Sequence, residues 1–292
     1  MTNDTLISMI LEPHSLDLGG MQVHRVLPAA RLRAVGPYVF LDQIGPGAFG
    51  PGQGLDIRPH PHIGLSTLTW LLEGQIMHRD SLGYAQAIRP GEVNLMTAGK
   101  GIVHSERTPQ ELRAQTTPLF GVQVWLALPK GQEEMEPAFE HHPAAALPVI
   151  DLPGGRVILV LGEGWGRASP VTVHAPAFYA DIMVNPGAGV VLPALAAERA
   201  LHILSGTVTV NGQNFSSGRS LVLAAGPEPE ISSPDGARLV FLGGPPLPEP
   251  RYMWWNYVST SRERIERALI DWEQGKFPEV PAEEEFIPAP NR

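Results

Sequence analysis

HPHIGLSTLTWLLEGQIMHRDSLG (residues 60–83), continued by IRPGEVNLMTAGKGIVHSE (88–106), decides how this chain folds. Two apolar, β-branched runs flank Glu73-Gly74, and a Pro90-Gly91 turn opens a third run at Val93. Such runs, four to nine residues long and bounded by Gly, Pro and Asp, read as strands joined by tight turns. Outward from this stretch the pattern persists. VNLMTAG (93–99), LFGVQVWLAL (119–128), RVILVLG (156–162), LHILSGTVTVNG (201–212) and RLVFLGG (238–244) are further strand candidates. One helix is expected, starting near Thr260. Thr260 and Glu263 have capping-box spacing, and Ile265, Ala268, Leu269 and Trp272 recur at i, i+3, i+4 and i+7. The acidic stretch after it, EQGKFPEVPAEEEFIPAPNR, reads as a loosely held tail.

The unit around Gly74 occurs twice. Leu71–Ile76 resembles Ile203–Val208, and Arg89–Gly99 resembles Ser216–Gly226. Repetition of one strand–Gly–strand unit predicts a duplicated β domain. The expected division is 1–135 for a first barrel, 136–255 for a second, and 256–292 for a helix and tail packed back on the body.

The first copy carries chemistry that the second lacks. Side chains two apart on a strand share a face, so His60-Pro61-His62 sends two imidazoles one way, and His104-Ser105-Glu106 sends an imidazole and a carboxylate one way. If the two strands face each other, four donors converge on a point suited to one divalent first-row metal. Counting from the Gly turns, the equivalents in the second copy are Leu192, Ala194, Ile231 and Ser233. None of these is a usual metal donor, so the second copy is expected to be scaffold. Other histidines receive plainer readings. His78 is structural at a strand end, His141 and His142 are solvated in a linker, and His24, His174 and His202 stand on strands without a partner two residues away. Glu73 belongs to the turn. Trp70, Met96, Phe120 and Trp125 are barrel core.

The same residues carry a resemblance. HPHIGLSTLTWLLEGQIMHRDSLG with IRPGEVNLMTAGKGIVHSE, the flank Phe40-Leu41-Asp42 and Gly45-Pro46, and WWNYVSTSRERIERALIDW (254–272) resemble the pirin family of the cupin superfamily. The resemblance implies an all-β bicupin: two tandem jelly-roll-like cupin barrels with a short C-terminal α-helix. It implies that the metal sits in the first barrel only. It also implies that His60, His62 and His104 are its histidine ligands, Glu106 its carboxylate ligand, and iron(II) the ion. The donors themselves equally accept Mn, Ni, Cu or Zn. The activity it implies is that of a quercetin 2,3-dioxygenase, with a small aromatic substrate and O2 as partners. Glu106 is then the natural acceptor of the substrate proton. The alternative it implies is a non-enzymatic, iron-dependent regulator that binds a transcription factor or a metabolic enzyme.

Composition bounds the rest. The 292 residues, 43% hydrophobic, suffice for two medium domains, and no apolar run approaches a membrane span. A net charge of -9 with no long basic run argues against direct nucleic-acid binding, which needs clustered Lys and Arg. Zero cysteines exclude disulfides, thiolate ligands and a cysteine nucleophile. The start, MTNDTLISMILEPHS, lacks a basic segment leading into an apolar core, so a cytoplasmic protein is expected.

Overall fold

The computed structural model describes residues 6–291. Four strands come first: β1 (Ile7–Leu11), β2 (His14–Leu18), β3 (Met21–Leu27) and β4 (Tyr38–Phe49). The histidine-rich stretch then forms β5 (Asp56–His62), β6 (Leu65–Glu73), β7 (Ile76–Asp80), β8 (Ala85–Ile88), β9 (Val93–Thr97), β10 (Ile102–Arg107), β11 (Thr117–Ala127) and β12 (Ala138–His142). The second copy contains β13 (Val149–Leu152), β14 (Gly155–Leu161), β15 (Glu163–Gly164), β16 (Arg167–Ala168), β17 (Phe178–Val184) and β18 (Ala188–Val191). It continues with β19 (Glu198–Val210), β20 (Gln213–Ser216), β21 (Ser220–Leu223), β22 (Glu230–Ser233) and β23 (Ala237–Gly244). β24 (Tyr252–Trp254), β25 (Tyr257–Ser259) and α1 (Arg262–Glu273) follow.

The first barrel is built from a four-stranded sheet, β5-β10-β7-β8, and a seven-stranded sheet, β12-β9-β6-β11-β4-β3-β2. Its core buries Leu71, Ile76, Ile88 and Leu119 with Met21, Val23, Ile44, Phe49 and, from the loop before β5, Leu55. The second barrel is a sheet of order β1-β21-β19-β23-β17-β14-β13, with β18, β20 and β22 attached. Its core includes Val157, Ile182, Leu192, Leu201, Ile231, Leu239 and Phe241. The repeat is visible in the backbone. Gly74 and Gly206 occupy equivalent turns at φ 83° and 80°, where a Cβ would strike the carbonyls of Pro118 and Gly236 respectively. Only glycine fits such a conformation and approach without strain.

Contact between segments divides the chain differently from cuts at 135 and 255. One compact unit takes the described residues up to His14, then 24–41 and 145–247; the other takes 15–23, 42–144 and the chain from Pro248 onward. The physical reason is strand pairing. β1 extends the second barrel's sheet by pairing with β21, a partner more than 200 residues away that local composition cannot announce. The C-terminal segment packs on the histidine-bearing unit: Ile265, Ala268 and Leu269 of α1 lie with Ile63 and Tyr257, beside Trp254, Trp255 and Phe277.

The helix begins one residue later than the capping-box spacing indicates. Ser261 is the cap, its Oγ accepting from the Arg264 N–H at 3.1 Å, while Glu263 accepts from Ser261 Oγ at 2.8 Å. Thr260 is taken by the buried carboxylate of Glu133, which accepts its N–H at 3.0 Å. The tail is also anchored rather than loose. Arg107 donates to Glu283 Oε2 at 2.7 Å and to Glu285 Oε2 at 3.0 Å, Ser105 Oγ donates to Glu283 Oε1 at 2.7 Å, and the Ile287 N–H bonds the Pro59 carbonyl at 2.8 Å. No helix among the described residues is long and apolar enough to cross a membrane.

Candidate metal centre

β5 and β10 are antiparallel neighbours, with His60 opposite His104 and His62 opposite Ile102. Between His104 and Glu106 the register shifts: β5 spends three residues, Ile57 to His60, against two on β10. A bulge of this kind re-aims side chains, and it falls at Pro59, which has no N–H to give the ladder. The result is a tight group. Ligand nitrogens of His60, His62 and His104 all lie within 4.8 Å of one another, and all three side chains are buried. Ring centroids are 5.0 Å apart for His60–His62, 4.4 Å for His60–His104 and 4.9 Å for His62–His104. The edge of Trp125 meets the His62 ring at 5.1 Å and 86°.

Hydrogen bonds leave the correct nitrogens for a metal. His60 Nδ1–H donates to the Arg58 carbonyl at 2.9 Å, so its Nε2 keeps the lone pair. His104 Nδ1 lies 3.3 Å from His78 Nδ1, again leaving Nε2 for the group. Neither ring nitrogen of His62 makes a well-formed hydrogen bond, although both are buried; the Asn256 backbone offers only a loose contact. A buried polar atom without a partner costs about 1–3 kcal/mol, a cost that a bound cation would remove. The residues therefore fit a divalent transition metal, on their own chemistry. Burial lowers His60 to about 4, against the pull of the Arg58 carbonyl. Burial and then the neighbouring imidazoles hold His62 and His104 well below the usual histidine range. All three rings are thus neutral at pH 7, as ligands need to be.

Glu106 stands apart from that group. It is buried on β10 with Oε1 accepting from Gln123 Nε2 at 2.9 Å, and Gln123 also donates to Thr69 Oγ1 at 3.2 Å. Burial raises its carboxyl pKa, against the Gln123 hydrogen bond. Of the four sequence candidates, three are gathered and the carboxylate is held one step along the strand.

His78, read from the sequence as structural, is held by several contacts. It occupies β7 opposite Glu106, stacks on Phe139 at 4.5 Å, and bonds Asp80 Oδ2 through Nε2 at 2.9 Å. The signal was available, since His78-Arg79-Asp80 has the same alternate spacing as His60-Pro61-His62. His141 and His142 are not in a solvated linker but on β12, half-buried, with His141 Nδ1 2.8 Å from Asn94 Oδ1. His174 lies in a loop rather than on a strand, and His202 is buried with Nδ1 2.8 Å from Ser220 Oγ. Trp70, Met96, Phe120 and Trp125 are buried as expected, and Glu73 is exposed at its turn.

The second copy shows the same construction without donors. β18 pairs β22 as β5 pairs β10, and Leu192 and Ile231 are fully buried in its apolar core. A cavity of about 700 Å³ lies on the far side of β5 and β10, between Pro59, Val103, Trp272 of α1 and the tail residues Phe277 and Phe286. Strand alternation turns Pro59 and Val103 away from the imidazoles, so this space is not the mouth of the metal group.

A duplicated jelly-roll barrel whose facing strands present three buried imidazoles in one copy defines a cupin-type fold with a candidate metal site. The pirin profile matches residues 20–126, and the profile of the pirin C-terminal cupin domain matches residues 179–278. The chain belongs to the pirin family. It is 44% identical over 290 residues to a pirin-like protein of Caulobacter vibrioides, covering 98% of this chain and all of that one. Among solved structures, the quercetin 2,3-dioxygenase of Acinetobacter baumannii superposes with a TM-score of 0.92 at 36% identity, covering 99% of this chain and 97% of that one. The fold is also shared by an Escherichia coli pirin solved with nickel(II), at a TM-score of 0.65 and 21% identity, over 82% of this chain and 99% of that one.

Proposed function

We propose that this chain is a metal-dependent dioxygenase that uses O2 to cleave a flavonol-like aromatic, in the manner of a quercetin 2,3-dioxygenase. His60, His62, His104 and Glu106 would ligate one divalent ion per chain, iron(II) being the first choice and Mn, Ni, Cu or Zn compatible with the same donors. The observation that carries this reading is the buried three-imidazole group, with lone pairs left to it and one ring, His62, otherwise poorly satisfied. The likeness to the A. baumannii enzyme along almost the whole chain supports the substrate class.

A bound metal would supply Lewis acidity to a hydroxyl beside a carbonyl and a redox centre for O2. The chain's own residues do the rest. Burial of Glu106 favours the protonated carboxyl, so its carboxylate is a ready acceptor for the proton leaving a substrate hydroxyl. Gln123 holds the Glu106 carboxyl in place through a hydrogen bond to Oε1. Trp125 braces the His62 ring edge-on and, with the buried neighbours of both strands, keeps bulk water from the imidazoles.

The test is to load metal-free protein anaerobically with iron(II) and follow oxygen uptake on a panel of flavonols. Stoichiometric uptake with ring cleavage is the expected result. Metal binding without uptake on any flavonol would overturn the activity and leave the metal centre standing.

A further inference from the structure

Three residues on neighbouring strands form a line that ends at the imidazole group. Asp80, fully buried, uses Oδ1 to accept the backbone N–H groups of Leu82 and Tyr84 at 2.9 and 3.1 Å. Its Oδ2 faces His78 Nε2 at 2.9 Å. In the neutral form of His78, the Asp80 carboxylate, which only accepts, puts the single ring proton on Nε2 and leaves a lone pair on Nδ1. That lone pair faces His104 Nδ1 at 3.3 Å, which must therefore donate. The remaining nitrogen of His104, Nε2, is then the one with a lone pair. His78 is fixed in this pose by its stack on Phe139, 4.5 Å away with 14° between the planes, and by register, with His104 opposite Asp80 on the paired strand.

We propose that Asp80 and His78 are positioning residues that fix the tautomer and ring orientation of His104, and thereby set the metal affinity of the site. This rests on the reading of His60, His62 and His104 as metal ligands. The direction of the chain follows from its buried end: Asp80 dictates His78, and His78 dictates His104. Reversing the first link reverses every link after it. Second partners of this kind commonly change metal affinity by about 10–100-fold when removed.

Asp80→Asn is the discriminating variant. Its amide oxygen still accepts from Leu82 and Tyr84, so the turn is kept. Its amide NH2, however, donates to His78 Nε2, moving the His78 proton to Nδ1 and the His104 proton to Nε2. His78→Phe keeps the stack on Phe139 but offers no acceptor, and His78→Gln keeps an acceptor near His104 and should partly restore affinity.

The experiment has two readouts. Imidazole 15N NMR of the metal-free protein reads the His104 tautomer directly. Competition with a chelator for cobalt(II) reads affinity. Expected are an Nδ1–H tautomer of His104 in the wild type, conversion to Nε2–H in Asp80→Asn, and about a 10–100-fold loss of cobalt(II) affinity in both Asp80→Asn and His78→Phe. An Nε2–H tautomer in the wild type overturns the proposal, as does unchanged tautomer and affinity in a folded Asp80→Asn. A drop in the number of cobalt-bound imidazoles in His78→Phe would make His78 a ligand and overturn it too. If the wild type binds no cobalt(II) while His104 keeps its Nδ1–H form, the metal reading fails and the positioning role fails with it.

Discussion

His60 and His104 stand opposite each other across the β5–β10 pair, ring centroids 4.4 Å apart, in a buried space with a third imidazole beside them. Such a group tolerates no proton on any ring without cost. His60 titrates at about 4 when folded and near 6.5 when unfolded, so between those values the unfolded chain binds the extra proton. Stability of the metal-free protein should fall as pH drops from about 6.5 to about 4, His60 alone accounting for on the order of 3 kcal/mol. His202, also at about 4, acts in the same direction from the other unit. Glu106 opposes them, since a carboxyl raised by folding loses stability as pH rises through its folded value. Denaturant titrations of the metal-free protein from pH 7.5 to 4 check the sum; a flat profile would contradict it.

His62→Leu should raise the stability of the metal-free protein by about 1 kcal/mol, because it removes two buried nitrogens that lack well-formed hydrogen bonds. The same variant should lose its metal. Thermal melts alongside metal analysis test both halves, and a variant less stable than the wild type would mean that His62 is satisfied in a way its geometry does not suggest.

Glu106→Gln retains an oxygen to accept from Gln123, and leaves three imidazoles in place. We expect metal to be retained while turnover on a flavonol falls by about 10²-fold or more, the usual worth of a positioned proton acceptor. Steady-state oxygen uptake measures it, and unchanged turnover would end the proton-accepting assignment.

Glu283 binds both Arg107 and Ser105, the residues on either side of Glu106. Burial would raise its carboxyl pKa, but the Arg107 and Ser105 hydrogen bonds prevail and hold it below the usual range. Glu283→Ala should cost about 2 kcal/mol and open the chain after Pro278 to protease, as removal of a charged hydrogen-bonding partner does. Limited proteolysis with mass spectrometry would show resistance instead if the tail holds without it.

Metal analysis of protein purified without chelator should give one ion per chain. The second barrel fills the corresponding space with Leu192 and Ile231. Two ions per chain would place a site that neither barrel's repeat accounts for.

The barrel and the three imidazoles were legible because both depend on period-two alternation, a local property of strands. The repeat gave an internal comparison, with Leu192 and Ile231 standing where donors would be. What escaped was set by partners distant in sequence. Glu106 shares a face with His104, yet the bulge at Pro59 and its bond to Gln123 decide where its carboxylate rests. The acidic tail reads as solvated until Arg107, 176 residues earlier, supplies its counter-charge. Thr260 looks like a helix cap until Glu133 claims its N–H. His78 pairs locally with Asp80, whereas its approach to His104 comes from strand pairing alone.

The unit that holds the three imidazoles is also the one to which the chain from Pro248 onward belongs. During synthesis His60, His62 and His104 leave the ribosome first, and the segment that packs on Ile63 follows only after the whole second barrel has been made. At about 5–20 residues per second that interval is on the order of ten seconds. Through it the ligand strands exist without the helix and tail that later cover their outer face. Synthesis of the three imidazoles and synthesis of their outer cover are thus separate events in the life of each newly made chain, and premature termination in the last few dozen codons would leave every donor made but that cover missing.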